Sequence, residues 1–376
     1  MSKLRKTIRA KIHSLTGIKN EILRREYDKF QDICQEVSLA VDWDFLPDKP
    51  YKLFSNPERY SSYVWGAIRT ISRKKQFTKI GEQPLYLRND TFKVVENENS
   101  IAKHWLKLPT KEQHGGVWLP LIIPAKYNIL LNDKICDSKI TKDRKGNWYA
   151  HITIECEVPD VQIPSNPTII AVDLGERYIA TTVSVAQDGN VSDVRFCGKE
   201  VRGIRRHYDW LRKRLGNKKL LKKIKEIEQT EKRKVRDVLH KISRAIVDDA
   251  KEKNAVILLG DLKGIRNSAK GKGRRFNRIV SNMSYHTLTQ FITYKAEWDG
   301  VPVIIQSERG TSSTCHKCCS KGKRLSQARF KCHNCGLDYF NADVNGAINQ
   351  GRGLLATWGE TEPTGLALNF GVEVIQ

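Results

Sequence analysis

Long apolar runs are missing from this chain of 376 residues. No stretch approaches the roughly 20 apolar residues that cross a bilayer, so a helical membrane span is not expected. The opening MSKLRKTIRAKIH is basic but lacks the apolar core of a secretory signal. No internal repeat is present, which excludes solenoids and propellers. Negative charge is also short. Asp and Glu number 42 against 66 Lys and Arg, for a net charge of +24. That excess is far beyond what solubility needs and points to a polyanionic partner, nucleic acid above all, with a membrane surface the weaker alternative. A cytoplasmic, nucleoid-associated protein is expected.

What is present suffices for two or three domains, since 39% apolar and 29% charged residues are ordinary for globular chains. The segment to about residue 90 reads as mainly helical. Asn56-Pro57 has the form of a cap followed by proline at the first helical position, and Tyr60, Tyr63, Val64, Ala67, Ile68 and Ile71 then share one face. In residues 148–158, Trp148, Ala150, Ile152, Ile154, Cys156 and Val158 alternate with other side chains behind the turn DRKGN, the pattern of a half-buried antiparallel strand in a small β-barrel or sandwich. VPDVQIPSNP reads as a linker.

Beyond it, IIAVD, ATTVSV and VRF form a three-strand meander, AVILL reads as a buried parallel strand, and VPVIIQ is a fifth strand. AVILL and VPVIIQ are joined through a helix, so the two are expected to be parallel and adjacent. Residues 199–236 hold 16 Lys or Arg against five acids. From that run Arg202, Arg205, Arg206, Arg212, Lys213, Arg214, Lys218 and Lys219, with Arg274 and Arg275 of the loop KGKGRRFNR, are the candidate phosphate contacts. The glycines of that loop make it a candidate lid.

Nine cysteines in a reducing compartment argue for metal rather than disulfides. Cys34, Cys136, Cys156 and Cys197 are scattered and read as small buried hydrophobes. Cys315-x2-Cys318 and Cys332-x2-Cys335 are two knuckles 13 residues apart, the pattern of a structural zinc site with four thiolates. A full thiolate shell leaves no need for His316, His333 or Cys319 as ligands.

Three acids are candidates: Asp173 at the end of IIAVD, the acid near the end of the AVILL strand, and Asp343 in FNADVNGAIN, at the start of an amphipathic helix just after the second knuckle. Carboxylates gathered at one sheet edge repel unless divalent cations hold them, and two such cations clamp both oxygens of a phosphodiester displacement.

The order strand-Asp, strand-acid, TSSTCHKC, FKCHNCG and NADVNGAIN resembles the TnpB family, the insertion-sequence RNA-guided DNA nucleases related to the small type V CRISPR effectors. The likeness runs through residues 168–350, RKVRDVLHKISRAIVDDA and FNRIVSNMSYHTLTQFITYKAEW included. It implies a multidomain α/β plus β chain. Residues 1–15 and 91–163 would form a wedge-type β-barrel, 16–90 an inserted helical recognition domain, 164–310 and 341–360 an RNase H-like (RuvC) nuclease domain, 311–340 an inserted zinc ribbon, and 361–376 a tail. It also implies Zn2+, Mg2+ and a guide RNA transcribed from the element's end. Double-stranded target DNA would be cut beside a short adjacent motif by a monomer holding its RNA.

The resemblance has one departure. Where the family carries glutamate in Glu-Asp-Leu, this chain has Gly260-Asp261-Leu262. Three readings follow. Asp261 substitutes, although neighbouring strand residues face opposite ways; the protein is a nuclease-dead, RNA-guided DNA binder; or Glu308, just past VPVIIQ on the neighbouring strand, supplies the third carboxylate beside Asp173 and Asp343. The third is the expectation.

Overall fold

The computed structural model describes residues 2–13, 15–40, 50–56, 59–72, 81–98, 100–111, 115–124, 127, 133–261, 273, 284–307, 310–326 and 329–358. Arg274, Arg275, Glu308 and the 361–376 tail lie outside the described residues. The chain divides into two compact units, Met1–Glu157 and Val158–Gln376.

The first unit is one seven-stranded sheet with helices. Its strands are β1 (Ser2–Ile12), β2 (Leu85–Leu87), β3 (Lys93–Glu96), β4 (His104–Leu108), β5 (Val117–Ile122), β6 (Lys134–Lys142) and β7 (Trp148–Val158), in the order β2-β6-β7-β1-β5-β4-β3. The alternation read in residues 148–158 is the burial pattern of β7, whose even-numbered residues are buried. Helix α1 (Gly17–Ala40) buries Leu23, Phe30 and Val37, and Asn20 accepts a hydrogen bond from Trp148 Nε1 at 3.0 Å. A one-turn helix, α2 (Tyr51–Phe54), precedes α3 (Ser61–Ser72). Helix α3 buries Tyr63, Val64, Ala67 and Ile71 as the periodicity required, but it starts at Ser61 rather than behind Asn56. Asn56 O instead accepts from Arg59 N at 2.9 Å and closes a turn ahead of the helix.

The second unit is built on a five-stranded mixed sheet, β10-β9-β8-β11-β12. The meander is β8 (Ile169–Asp173), β9 (Ala180–Val185) and β10 (Val191–Cys197), all antiparallel. Strand β11 (Val256–Asp261) runs parallel to β8 and to β12 (Val303–Ser307), so the two apolar strands are parallel neighbours as expected. Parallel pairing needs long crossovers. Here α4 (Lys199–Asn217) and α5 (Leu221–Glu252) lie between β10 and β11 in sequence, and α6 (Tyr285–Asp299) lies between β11 and β12.

The continuous apolar runs are explained by burial on both faces. On one side Ile170, Val172, Ile257 and Leu259 pack with Leu239, Ile246, Leu288 and Ile292 of α5 and α6. On the other, Ile169, Ala171, Val256 and Leu258 pack with Val344, Ala347 and Ile348 of α7 (Ala342–Ala356). Helix α7 is more deeply buried than the amphipathic helix read from its sequence required. Ten of its fifteen residues are buried, because it is covered by the sheet on one side and by the cysteine-rich hairpin on another.

Close approach of α7 to the sheet depends on glycine. A Cβ at Gly351 would stand 2.7 Å from Val185 Cγ2 and 3.2 Å from its Cβ. Overpacking of this kind costs roughly 1–3 kcal/mol. Gly351→Val is therefore expected to lower the unfolding free energy by about that amount, measured by urea denaturation, with the loss falling on the second unit.

Candidate active site

Strand parity decides which side chains meet at the carboxyl edge of the sheet. Val172 and Leu259 are register partners and point into the α5–α6 core. The next residue on each strand, Asp173 and Gly260, therefore falls on the α7 face. Gly260 is in turn level with Gln306 of β12, and Asp261 with Ser307. The register is unbroken from Ile257 to Asp261, so no bulge turns Asp261 round. Asp261 lies on the face opposite Asp173, the side on which Leu259 is buried.

Asp343 reaches the same edge from above. Asn341 caps α7, its Oδ1 accepting from Asp343 N at 2.9 Å and Val344 N at 3.2 Å. The cap fixes Asp343 in the first turn, facing β8. Two glycines record the proximity: a Cβ at Gly175 would lie 3.7 Å from Asp343 Oδ2, and one at Gly346, a turn along α7 from Asp343, would lie 3.8 Å from Asp173 Oδ2. The two aspartates, 170 residues apart in sequence, thus meet at one sheet edge. Glu308 follows Ser307 in sequence and lies outside the described residues.

Asp343 is 5% exposed, and burial pushes its carboxyl above the ordinary aspartate range, opposed by Arg324. Arg324 comes from the hairpin β13 (Lys323–Ser326) and β14 (Arg329–Lys331), and its guanidinium lies 2.6 Å from Asp343 Oδ1. A buried carboxylate requires a positive partner. Sequence reading missed Arg324; nothing local marks a contact made across 19 residues and two cysteines.

The four cysteines come together as their spacing required. The Sγ atoms of Cys315, Cys318, Cys332 and Cys335 lie within 4.8 Å of one another, with Cys315–Cys335 at 3.7 Å and Cys318–Cys332 at 3.5 Å. Zinc bound by four sulfurs at about 2.3 Å sets neighbouring sulfurs about 3.8 Å apart. The donor set fits. Hydrogen bonds from the Asn334 side chain and the Ser320 backbone bring the Cys318 thiol down to about 6, favouring the thiolate that metal requires. His316 is engaged elsewhere: its ring stacks on Phe340 at 4.3 Å and its Nδ1 meets Asn345 Oδ1 at 3.0 Å.

A second feature escaped the sequence reading although the signal was present. Asn341, Asn345 and Asn349 repeat every four residues and so share a face of α7. Asn345 donates to Thr314 O at 2.7 Å and accepts from His316 N at 3.0 Å; Asn349 donates to Thr311 O and Thr314 O at 2.9 and 2.7 Å. These carboxamides fasten the first cysteine knuckle to the helix that carries Asp343.

The basic run divides between α4 and α5. Arg212 is tied to Asp209 at 2.6 Å and to Glu231, Arg205 donates to Ser284 Oγ at 2.6 Å, and Arg202 stands 4.0 Å from Glu176. Arg206, Lys213, Arg214, Lys218 and Lys219 are exposed.

Comparison with known proteins agrees with this architecture. A family model described as "Cas12f1-like, TNB domain" matches residues 285–350. The solved Cas12f1–sgRNA–target DNA complex superposes with a TM-score of 0.61 at 14% identity, covering 90% of this chain and 83% of that one. The fold is thus that of the Cas12 effectors. A TnpB-like protein of Methanocaldococcus jannaschii is 34% identical over 188 residues, covering 48% of this chain and 67% of the relative. The chain belongs to the TnpB-like family. The Cas12f1 endodeoxyribonuclease of Sulfoacidibacillus thermotolerans is 32% identical over 252 residues, and the chain spans 56% of its length. No helix among the described residues is long and apolar enough to cross a membrane.

Proposed function

We propose that this protein is an RNA-guided DNA endonuclease of a transposable element, with Asp173, Glu308 and Asp343 as its metal-binding carboxylates. The observation that carries the reading is the meeting of Asp173 and Asp343 at the carboxyl edge of the mixed sheet, beneath the capped end of α7. Bound there, a pair of Mg2+ ions would activate water and stabilise the departing 3′ oxygen. The chain's part is to hold the carboxylates, shield them under α7, and present Arg324 to the same acid or to a scissile phosphate. A guide RNA pairs with the target strand, and the heteroduplex is gripped through its phosphates by Arg206, Lys213, Arg214, Lys218 and Lys219, with Arg202, Arg205, Arg212, Arg274 and Arg275 completing the basic surface. The first unit reads the short motif beside the target, as a wedge barrel with an inserted recognition domain. Zn2+ on the four cysteines is structural.

Glycine at 260 supports the relocated glutamate: it leaves room at the end of β11 where the family's acid would stand, and it is level with Gln306, two residues before Glu308 in sequence. Glu308→Ala is expected to abolish cleavage of guided target DNA in Mg2+ while guide RNA stays bound. Adding Gly260→Glu to that variant is expected to restore cutting, because both positions face one metal shell. Cleavage by Glu308→Ala at the wild-type rate refutes the relocation. The same Gly260 favours a second reading, a guided DNA binder that leaves its target whole. Purification with co-expressed flanking element DNA, sequencing of the bound RNA and a cleavage assay with Mg2+ separate the two.

A further inference from the structure

Beside the carboxylate edge, between α7 and strands β11 and β12, lies a cavity of about 210 Å³ lined by Gln306, Ser307, Thr311, Asn349 and Gln350 against Leu258. Its chemistry differs from the rest of the molecule. In a chain of net charge +24, no charged side chain among the described residues lines it. Three carboxamides converge there instead. Gln350 is 6% exposed, and its Oε1 is buried without a hydrogen-bond partner. An unpartnered buried carbonyl oxygen costs about 1–3 kcal/mol. Asn349 spends its N–H groups on Thr311 O and Thr314 O, leaving its carbonyl oxygen for the cavity.

Among the described lining residues there is no acid to hold a cation and no Lys or Arg to hold a phosphate. A carboxamide offers a donor and an acceptor in one plane, the complement of a nucleobase edge, and Asn and Gln pair with adenine in that manner. The cavity suits one flat heterocycle rather than a drug-sized ligand, whose pockets run to roughly 300–1,000 Å³. Its position suits a base as well. Gln306 is level with Gly260, and the β11–β8 ladder carries Leu259 beside Val172, so with β11 between them the pocket lies two strand spacings, on the order of 10 Å, from the Asp173 end of β8.

We infer that this cavity is a nucleobase subsite, taking one unstacked base of the DNA strand whose backbone crosses Asp173 and Asp343, with the Gln350 carboxamide and the carbonyl oxygen of Asn349 reading its edge. Enzymes that work on single-stranded or extruded nucleotides hold the freed base in such a pocket. The inference rests on the nuclease reading, and the test separates the two.

The full chain with its guide RNA is given target DNA bearing 2-aminopurine at successive positions around the cut, with Mg2+ omitted and no chelator added, so that nothing is cleaved and the cysteine hairpin keeps its metal. One position is expected to change its emission at least twofold, and the change is expected to vanish in Gln350→Leu, which keeps the volume and removes the amide. In Mg2+, an abasic residue at that position is expected to slow the wild type about tenfold, while Gln350→Leu cuts intact and abasic targets alike. No responsive position, or equal responses in both proteins, means that the cavity holds water only and overturns the subsite. A fluorescence response without cleavage of any target keeps the subsite and overturns the hydrolytic reading.

Discussion

Asp173→Ala is expected to end DNA cleavage while leaving guide RNA and target binding intact. A metal clamp on a phosphodiester contributes several kcal/mol of transition-state stabilisation, and each 1.36 kcal/mol is tenfold in rate, so the loss is roughly 10³-fold or more. The variant is safe for folding because Asp173 is only partly buried at the end of β8, while the neighbouring core positions are Val172 and Leu174. Asp343→Ala should cost as much in rate, with a structural difference: it releases Arg324, which pairs with Asp343 at 2.6 Å. Measured by gel assay on guided target in Mg2+, with RNA retention followed by filter binding, a cleavage rate for Asp173→Ala within tenfold of the wild type would remove the two-carboxylate site from the account.

Cys332→Ala is expected to be the most disruptive change elsewhere. Cys332 is fully buried and supplies one of four thiols that lie within 4.8 Å. The small apolar cluster around it, Cys315, Phe330 and Ala342, is too thin to hold the hairpin unaided. Metal binding in such modules supplies the folding free energy itself, about 10–16 kcal/mol in zinc-finger peptides at neutral pH. The expected results are loss of bound zinc by elemental analysis and rapid hydrogen exchange across residues 310–340, with exchange in the buried strands β8 and β11 unchanged. Retained zinc together with retained exchange protection would show that the four thiols are not the metal shell.

Several of these features were legible because their physics is local in sequence. The apolar runs of β8 and β11 announce strands buried on both faces, and the two cysteine knuckles announce their own ligand count. Asp173 was visible as an acid ending such a strand. Asp343 was visible as an acid opening a helix just after the second knuckle, and the resemblance gave that candidate its role, since a carboxylate opening a helix ordinarily serves the helix end. The fate of Asp261 was decided by parity alone, as the unbroken β11–β12 ladder shows. Arg324 could not be read at all: its pairing depends on how the cysteine hairpin folds over a helix, a three-dimensional relation with no fixed spacing. The asparagine repeat at 341, 345 and 349 could have been read, because four-residue periodicity is a face of a helix whatever its polarity. It passed unnoticed because polar stripes are commonly solvent faces, whereas here Asn345 is fully buried.

That stripe bears on how such proteins can be recombined. Since Asn345 and Asn349 reach back to Thr311, Thr314 and His316, the cysteine hairpin and the helix after it form one transplantable cassette. A chimera taking its hairpin from a relative should place the downstream junction beyond residue 349 rather than at 340. Cutting at 340 would divide the hairpin from the amides that seat it, and would set the Asp343 carboxylate adrift from its arginine.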